Sequence, residues 1–503
     1  MSPLELSVVV TYALLLCVLS FYGAHRYQMA YLYYRHKYRL PTPLARFARL
    51  PRVTVQLPIF NELYVTERLI ATIARLDYPR DLLEIQVLDD STDETQGIAR
   101  AAVDRYKAEG LDIVYVHRTN RKGFKAGALE NGLSLAKGEL IAVFDADFVP
   151  DPDFLRRTVD FFTDPEVGVV QARWGHLNRD YSTLTQAQSI LLDGHFVIEH
   201  TARNRSGRFF NFNGTAGVWR REAILGGGGW QHDTLTEDLD LSYRSQMNGW
   251  KFVFLPHVVT PAELPIDMNA FKAQQHRWAK GSIQTALKLL PLVRRSDLPK
   301  EVKREAFAHL TANLAYLLMI PLAILLPITV VVRVSHGALE VLFLDLPFFA
   351  AATFSVCAFY VASQAEQGMG WWDRMKYLPV VMALGIGLSV NNARAVVEAL
   401  MGYETGFTRT PKHGVAGKAG GERTKRKRYK AAATLQPLVE LALAAYMTYG
   451  VVYLVQREVY YSIPFLVLFQ LGFGYVALAS IYEALRNRVV RVVRAVAPAP
   501  AAE

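Results

Sequence analysis

The chain has 503 residues, of which 51% are hydrophobic, and its 56 Lys and Arg against 46 Asp and Glu give a formal net charge of +10. Apolar residues are concentrated in long runs, which is typical of an integral membrane protein and excludes a disordered chain. Cys17 and Cys357 both lie inside such runs, so a disulfide framework and a cysteine-based zinc site are excluded. Basic residues cluster beside the apolar runs, which indicates a cytosolic membrane face rather than a nucleic-acid partner.

The first apolar run, residues 6–22, is followed by an arginine-rich and lysine-rich stretch that extends to Arg52. The positive-inside rule predicts a retained transmembrane anchor (residues 1–26) with its amino end outside, then a basic juxtamembrane segment (27–51) in the cytosol. Four further runs approach the ~20 residues that a bilayer requires. They are residues 307–332, 341–362, 435–455 and 463–485, and they predict two helix pairs within residues 298–364 and 433–487.

A shorter apolar run, residues 377–390, leads into Asn391, Asn392, Arg394 and Glu398, whose spacing predicts one polar helical face. A full membrane crossing here would place the basic tract at residues 425–430 outside the cell. Residues 365–402 are therefore predicted to be interfacial or re-entrant. Residues 403–432 are predicted to form a loop that includes the basic tract, and residues 488–503 a disordered tail.

Residues 52–297 contain no membrane-spanning run. Short β-rich runs at 53–57, 85–88, 113–116 and 140–144 alternate with helical patterns at 64–76, 95–109 and 125–136. This order predicts a mostly parallel sheet with helices on both faces. Ligands of such sheets bind beyond the carboxyl ends of the strands, so acidic residues at those ends are the candidates for function.

The second predicted strand ends in Asp89 and Asp90, two like charges that would repel each other. A helix start capped by Ser91 and Glu94 would account for the residues that follow, but it leaves the two aspartates without a purpose. Binding of a nucleotide base, a ribose hydroxyl or a cation accounts for them better. We therefore predict a functional role for this pair.

The fourth predicted strand is followed by Asp145-Ala146-Asp147. Two carboxylates at alternate positions, separated by a small residue, can share one divalent cation. Mg²⁺ and Mn²⁺ held in this way usually complete their shell with substrate phosphates. The expected ligand is therefore a sugar nucleotide or a similar diphosphate.

Two later motifs also carry polar groups. The Thr-Glu-Asp motif at 236–238 fits a capped helix start and a catalytic site equally well. Gln274, Arg277 and Trp278 are spaced i, i+3 and i+4, which places them on one helical face. An amide, a guanidinium and an indole suit a diphosphate and a stacked sugar ring rather than an apolar core.

Together these motifs resemble those of the processive membrane-embedded glycosyltransferases of family 2, the cellulose, mannan and hyaluronan synthases. Six segments most resemble the sequences of the cellulose-synthase-like mannan and xyloglucan-backbone synthases and their bacterial relatives. They are residues 87–93, 123–129, 144–148, 170–174, 212–217 and 274–278. Residues 407–412 resemble the gating loop of cellulose synthases, although Arg409 stands where those enzymes commonly carry an apolar residue. The resemblance implies an α/β GT-A (Rossmann-like) cytosolic domain joined to an α-helical transmembrane bundle.

The resemblance also implies a role for each motif residue. The catalytic residues would be Asp238, as general base on the acceptor hydroxyl, with Glu237 and Asp147. The cofactor would be Mn²⁺ or Mg²⁺, held by Asp145 and Asp147. The donor would be bound by Asp89, Asp90, Lys125, Asp145, Gln274 and Arg277. The acceptor would be bound by Trp278, Phe212, Asn213 and Gly214, and the gating loop would contain Phe407, Thr410 and Lys412.

The activity that the resemblance implies is inverting transfer of a hexose from GDP-mannose or UDP-glucose to a β-linked polysaccharide of mannan, glucomannan or glucan type, with translocation of the product. A lipid glycosyltransferase acting on ceramide or diacylglycerol is the alternative, and a channel or scaffold with an idle transferase domain is the third hypothesis. The expected partners are the nucleotide sugar, a growing glycan or lipid acceptor and the bilayer, with no nucleic acid. The expected location is a bacterial inner membrane, or a Golgi or plasma membrane in a eukaryote, with a cytosolic active site.

Overall fold

The computed structural model describes residues 1–337, 347–348, 350–404, 406, 409–417, 435–460 and 462–496. These residues form one seven-stranded sheet and a set of helices that surround or follow it. The strands are β1 Val53–Ile59, β2 Leu83–Asp89, β3 Asp112–His117, β4 Leu140–Val143, β5 Val167–His176, β6 Gly217–Arg220 and β7 Lys251–Ala262.

The sheet has the strand order β3-β2-β1-β4-β6-β5-β7. Strands β1 to β4 pair in parallel, β6 is antiparallel to both of its neighbours β4 and β5, and β7 is parallel to β5. Six of these strands therefore run in one direction and β6 is reversed. The carboxyl ends of those six strands lie along the same edge of the sheet, and this edge positions the candidate site.

The central strands of the sheet are buried on both faces: β4 is a continuous apolar run. Strands β1 and β2 also bury polar side chains, which are Thr54, Gln56, Glu84 and Gln86. In β4, Leu140 and Ala142 belong to one hydrophobic cluster, whereas Ile141 and Val143 belong to the other. This alternation follows from the two-residue period of a strand. The predicted mostly parallel α/β sheet is thus confirmed, with β6 as the reversed strand.

Helices of the sheet domain cover its faces and connect its strands. They are α2 Thr66–Ile73, α3 Thr95–Ala108, α4 Phe124–Leu135, α5 Phe154–Thr158, α6 Thr183–Asp193, α7 Thr201–Arg205, α8 Arg221–Gly226, α9 Glu237–Met247 and α10 Met268–Arg295. A π-helical segment, Gly194–His200, joins α6 to α7. The alternative of a capping box formed by Ser91 and Glu94 is not borne out, because α3 begins at Thr95 without a side-chain cap and the Ser91 Oγ accepts from the Asn61 N–H instead.

The remaining helices form a bundle beside the sheet domain. They are α1 Pro3–His36, α11 Lys300–Thr311, α12 Leu314–Ser335, α13 Ser355–Glu366, α14 Trp371–Met375, α15 Leu378–Gly387, α16 Ser389–Leu400, α17 Gln436–Gln456 and α18 Ile463–Val496. Among the described residues, five segments are long and apolar enough to cross a membrane. They are Pro3–His36, Leu314–Ser335, Trp371–Leu400, Gln436–Gln456 and Ile463–Arg486.

Four of these five segments overlap predicted apolar runs, but several of the predicted bounds need revision. The N-terminal helix continues to His36, past the predicted anchor end at residue 26. The predicted run 307–332 is divided between α11 and α12. Of the predicted run 341–362, residues 341–346 and 349 lie outside the described residues, Ala350–Phe354 form a π-helical segment, and residues 355–362 lie in α13.

The segment predicted to be interfacial or re-entrant, residues 365–402, contains the fifth candidate span. Most of its apolar window is buried inside the protein. Asn391 and Asn392, the start of its predicted polar face, are buried, and the Asn391 side chain donates to the Lys272 carbonyl at 2.9 Å. Asn391 therefore packs against α10, and both amides lie inside the protein rather than at the membrane surface. The tail predicted to be disordered from residue 488 is wrong over residues 488–496, which continue α18. Its remainder, residues 497–503, and the basic tract at 425–430 lie outside the described residues.

Candidate active site

A pocket lies at the carboxyl edge of the sheet, between α4, α9, α10 and the segment 409–412. It is lined by residues at or just beyond the ends of β1, β2, β4, β5 and β7. Most of the predicted site residues meet here, although they come from widely separated parts of the chain. The predicted residues in its lining are Asp90, Lys125, Asp145, Asp147, Asn213, Gly214, Glu237, Asp238, Gln274, Arg277, Trp278, Thr410 and Lys412.

The Asp145 carboxylate lies at the end of β4, and its charge is opposed by the lysine at the start of α4. Lys125 Nζ is 2.5 Å from Asp145 Oδ1 and donates to the Gly214 carbonyl at 2.9 Å. Although burial lowers the pKa of Lys125, the attraction of Asp145 and Glu237 raises that pKa above its usual value. Lys125 is therefore a fixed positive charge in the middle of the pocket.

Gly214 allows Lys125 to approach the acid at the start of α9. Its φ of +79° is in the left-handed region that favours glycine. A Cβ at this position would lie 2.9 Å from Asp238 Oδ2 and 3.3 Å from Lys125 Nζ. A glycine is thus required for both steric and conformational reasons where the general-base candidate and the lysine meet.

Glu237 and Asp238 form the first turn of α9. Burial and the neighbouring Glu237 charge raise the pKa of Asp238 to about 7, and burial also raises the pKa of Glu237. A carboxylate with a pKa near neutrality suits a general base. The alternative of a capping Thr236 is not borne out, because its hydroxyl makes no cap and instead lies 3.3 Å from the Thr285 hydroxyl of α10.

The face of α10 predicted to carry Gln274, Arg277 and Trp278 lines the pocket opposite the sheet edge. The Arg277 guanidinium contacts the Thr410 hydroxyl at 3.2 Å, which links α10 to the segment that resembles a gating loop. Burial lowers the pKa of Arg277. A guanidinium in this position can donate two parallel hydrogen bonds to a diphosphate.

The Asp147 carboxylate is almost completely buried below the segment 409–417. Lys412 Nζ lies 2.6 Å from Asp147 Oδ2, and the Glu263 N–H donates to the same oxygen at 3.0 Å. Glu263 also accepts from the His413 and Gly414 N–H groups at 3.0 and 3.1 Å. These contacts attach the segment to the ends of β4 and β7. Phe407, the third residue predicted for the gating loop, lies outside the described residues.

Asp145 and Asp147 supply two carboxylates that can bind a divalent cation, but they do not form a complete set of ligands. No group of three or more His, Cys, Asp or Glu within the described ranges could hold a metal ion. Two carboxylates and no third protein ligand fit Mg²⁺ or Mn²⁺ that shares its coordination with substrate phosphates. Such an ion would bind jointly with the donor, in competition with Lys125 and Lys412.

Two predicted site residues are corrected by the structure. Asp89, predicted to bind the donor, is fully buried and does not line the pocket. Its carboxylate accepts from the Ser91 N–H at 2.9 Å and from the Tyr115 hydroxyl at 2.7 Å. Asp89 therefore shapes the strand end, whereas Asp90 lines the pocket and is held by a bidentate pair with Arg118.

Phe212, predicted to bind the acceptor, is also fully buried and does not line the pocket. It packs edge-to-face on Trp219 with ring centroids 5.4 Å apart, in the core beneath the pocket. The next residue, Asn213, does line the pocket. Its side-chain oxygen lies 2.6 Å from His200 Nε2 and its nitrogen 3.1 Å from His195 Nε2. Two histidines of the π-helical segment thus orient Asn213.

Several pocket residues were not predicted. Glu62 and Glu263 follow β1 and β7, so the argument from acids at strand ends would have found them if it had been applied to those two strands. Burial raises the pKa of Glu62 to about 7, against the attraction of Arg409 at 2.8 Å. Arg121 lies 3.3 Å from the Phe60 ring centroid, and no local sequence signal indicated this pair.

The sheet domain matches a protein-family model, and curated proteins match a longer part of the chain. Residues 51–281 match the model of "Glycosyltransferase like family 2". The chain is 41% identical over 293 residues to glucomannan 4-beta-mannosyltransferase 1 of Oryza sativa subsp. japonica, covering 55% of this chain and 56% of that protein. It is 40% identical over 296 residues to glucomannan 4-beta-mannosyltransferase 2 of Arabidopsis thaliana, covering 56% and 55%. The matched region therefore spans about half the length of these relatives.

A solved structure also resembles the chain. It is the mannosyltransferase PcManGT from Pyrobaculum calidifontis in complex with GDP-Man and Mn²⁺. The TM-score is 0.50 at 25% identity, and the match covers 70% of this chain and 98% of that one. The predicted GT-A fold of the α/β domain is confirmed by this similarity.

Proposed function

Because residues 51–281 match the model of "Glycosyltransferase like family 2", we propose that the protein is a membrane-embedded hexosyltransferase of this family that extends a β-linked mannan or glucomannan from GDP-mannose. The observation that carries the proposal is the convergence of Lys125, Asp238 and Arg277 on one pocket at the carboxyl edge of the sheet. The names of the plant relatives and the GDP-Man complex of the similar structure support mannose over glucose as the transferred sugar. UDP-glucose is the second donor, since a glucomannan contains both sugars.

The proposed reaction is a single displacement with inversion at the anomeric carbon. Asp238 removes the proton from the acceptor hydroxyl as that oxygen bonds to the anomeric carbon and the bond to the diphosphate breaks. A positioned base of this kind contributes roughly 10²–10⁴ in rate. The nucleoside diphosphate leaves with the bonding electron pair, and Asp238 retains the proton until it passes to solvent.

The leaving diphosphate gains negative charge, so the proposal assigns its stabilisation to cations of the pocket. Lys125 is fixed beside Asp145, and Arg277 faces the pocket from α10. One unit charge ~4 Å from another at an effective dielectric of about 20 contributes some 4 kcal/mol, an upper value because solvent screens it. Asp145 and Asp147 would hold Mn²⁺ or Mg²⁺, which supplies further positive charge to the diphosphate. Asp90 would contact the nucleoside.

The acceptor end of the pocket is proposed to lie against α10. The Trp278 indole presents a flat apolar face on which a sugar ring can stack. Asn213 and Gly214 line the same pocket and would contact the acceptor hydroxyls. Glu237 would act through its neighbouring charge, which raises the pKa of Asp238, and would not remove the proton itself.

Translocation of the product is part of the proposal, because α10 is joined to the membrane bundle by buried polar contacts. Lys272 Nζ lies 2.6 Å from Glu440 of α17, and the Glu483 carboxylate of α18 accepts from the Asn269 N–H at 3.0 Å. A product that leaves along α10 would meet this bundle directly. We thus propose that the chain is a multi-pass membrane protein whose active site faces the cytosol.

The test is an assay of the full-length protein in lipid nanodiscs with GDP-mannose and UDP-glucose, offered separately and together. We expect polymer from GDP-mannose that a β-mannanase digests, with incorporation of glucose only when both donors are present. Polymer from UDP-glucose alone would overturn the choice of donor. A single hexose attached to an extractable lipid would instead favour the lipid glycosyltransferase. Unchanged nucleotide release by Asp238→Asn would favour a non-enzymatic role.

A further inference from the structure

A second concave surface, here called the interfacial groove, lies between α1, α10 and α11, away from the catalytic pocket. Its wall is largely apolar and includes Phe21, Leu287, Leu290, Phe307 and Leu314. Its volume is about 1370 Å³, above the ~300–1,000 Å³ of typical small-molecule clefts. Phe21, Leu287 and Phe307 each leave about half of their surface exposed. Exposed apolar area of this extent indicates contact with a partner or with lipid.

Cationic side chains also line the groove. They are Arg208, Arg294, Arg295, Lys303 and Arg304. Among the described residues, only Arg304 of these five forms an ion pair, a loose one with Glu301 at 3.6 Å. The other acid of the groove, Glu305, is buried and pairs with Arg203 at 2.9 Å and with His25 at 3.0 Å. The groove therefore presents an excess of positive charge beside its apolar wall.

The position of the groove relates it to the membrane. Its α1 wall lies in Pro3–His36 and its far end reaches Leu314, the first residue of Leu314–Ser335, and both helices are candidate membrane spans. The same part of α1 precedes the arginine-rich segment that the positive-inside rule places in the cytosol. Apolar wall and cations thus meet where a span passes into a cytosolic helix.

We infer that the interfacial groove binds an acidic phospholipid of the cytosolic leaflet, with its phosphate against Arg294 and Arg295 and an acyl chain along the apolar wall. Arginine near an anionic membrane surface attracts acidic headgroups, and the exposed apolar wall offers the chain a contact that water does not. A zwitterionic lipid of equal chain length has the same apolar contact without the net charge. The proposal therefore predicts selectivity for the acidic headgroup.

The groove shares α10 with the catalytic pocket. Gln274, Arg277 and Trp278 lie on the first half of this helix, and Leu287, Arg294 and Arg295 on its second half. A lipid in the groove would therefore hold the helix that carries the proposed diphosphate clamp. Any effect of bound lipid on turnover rests on the proposed function, whereas lipid binding itself does not.

The test measures retained lipid by native mass spectrometry of the full chain in detergent, with phosphatidylglycerol and phosphatidylcholine of identical chains at equal concentration. We expect preferential retention of phosphatidylglycerol, reduced about tenfold or more in Arg294→Gln/Arg295→Gln. Arg75→Gln/Lys107→Gln is the matched control, since it removes the same charge from the surface of the sheet domain. Equal retention of both lipids, or an equal loss in the control, would overturn the proposal.

Two further measurements distinguish lipid binding from a loss of the fold and from simple anion binding. The thermal unfolding midpoints of both double variants must match that of the parent, which separates loss of the site from loss of the fold. Inorganic phosphate is added as a competitor at the same molar excess over the protein as the lipid. If phosphate displaces the lipid fully, the groove is an anion site without a role for the acyl chain, and the proposal is wrong.

Discussion

Gly281 of α10 lies directly against Thr236, the residue before Glu237 and Asp238, the proposed catalytic acids of α9. A Cβ on Gly281 would stand 2.6 Å from Thr236 Cγ2 and 2.8 Å from the Thr236 nitrogen. The Leu235 N–H also donates to the Gln284 side chain of α10 at 3.0 Å. The helix that carries Arg277 and the turn that carries Asp238 are therefore held together at van der Waals distance.

Replacing Gly281 by alanine should separate these two parts of the site. A Cβ at this distance forces Thr236 or α10 to shift by several tenths of an ångström, and small misplacements of catalytic groups can cost about 10²-fold in rate. We expect Gly281→Ala to lower kcat at least tenfold at unchanged expression. Gly97→Ala in α3, where a Cβ would meet nothing within 4 Å, is the control and should leave kcat unchanged.

The raised pKa of Asp238 predicts an acid limb in the pH profile. The base is active only when deprotonated, and its pKa is about 7, so kcat/KM should fall about tenfold per unit as the pH drops below this value. Asp238→Asn should lower kcat by roughly 10²–10⁴ while nucleotide binding, measured by calorimetry, remains. A profile that is flat between pH 5 and 8 would contradict the assignment of Asp238 as base.

Removal of divalent cations should abolish turnover, and Mn²⁺ or Mg²⁺ should restore it. Lys412 Nζ lies 2.6 Å from Asp147 Oδ2, so its ammonium group competes with a metal ion for this oxygen. Lys412→Met should therefore lower the metal concentration that gives half-maximal nucleotide release, whereas Asp145→Asn should raise it. Lys107→Met, on the exposed surface of α3, serves as the control. Full activity in EDTA would show that the two aspartates have another role.

Phe212 and Trp278 are both predicted from the sequence to bind the acceptor, but their variants should behave differently. Phe212→Ala leaves a cavity beside Trp219 in the core and should cost about 3–5 kcal/mol of unfolding free energy. Trp278→Ala removes a side chain that lines the pocket and should raise KM for the acceptor with little change in stability. Chemical denaturation and acceptor titration measure the two effects separately.

The sequence alone determined strands β1 to β4, helices α2 to α4 and four of the five candidate membrane spans, because these depend on local periodicity and hydropathy. It also determined the site residues with a local signal, such as Asp145 at the end of β4 and Arg277 on one face of α10. Tertiary structure decided which of two adjacent residues faces the pocket, Asp90 rather than Asp89 and Asn213 rather than Phe212. It also brought Arg409 to Glu62 and Lys412 to Asp147. These outcomes depend on contacts between residues distant in the chain, and no local pattern encodes which side chain such contacts bury.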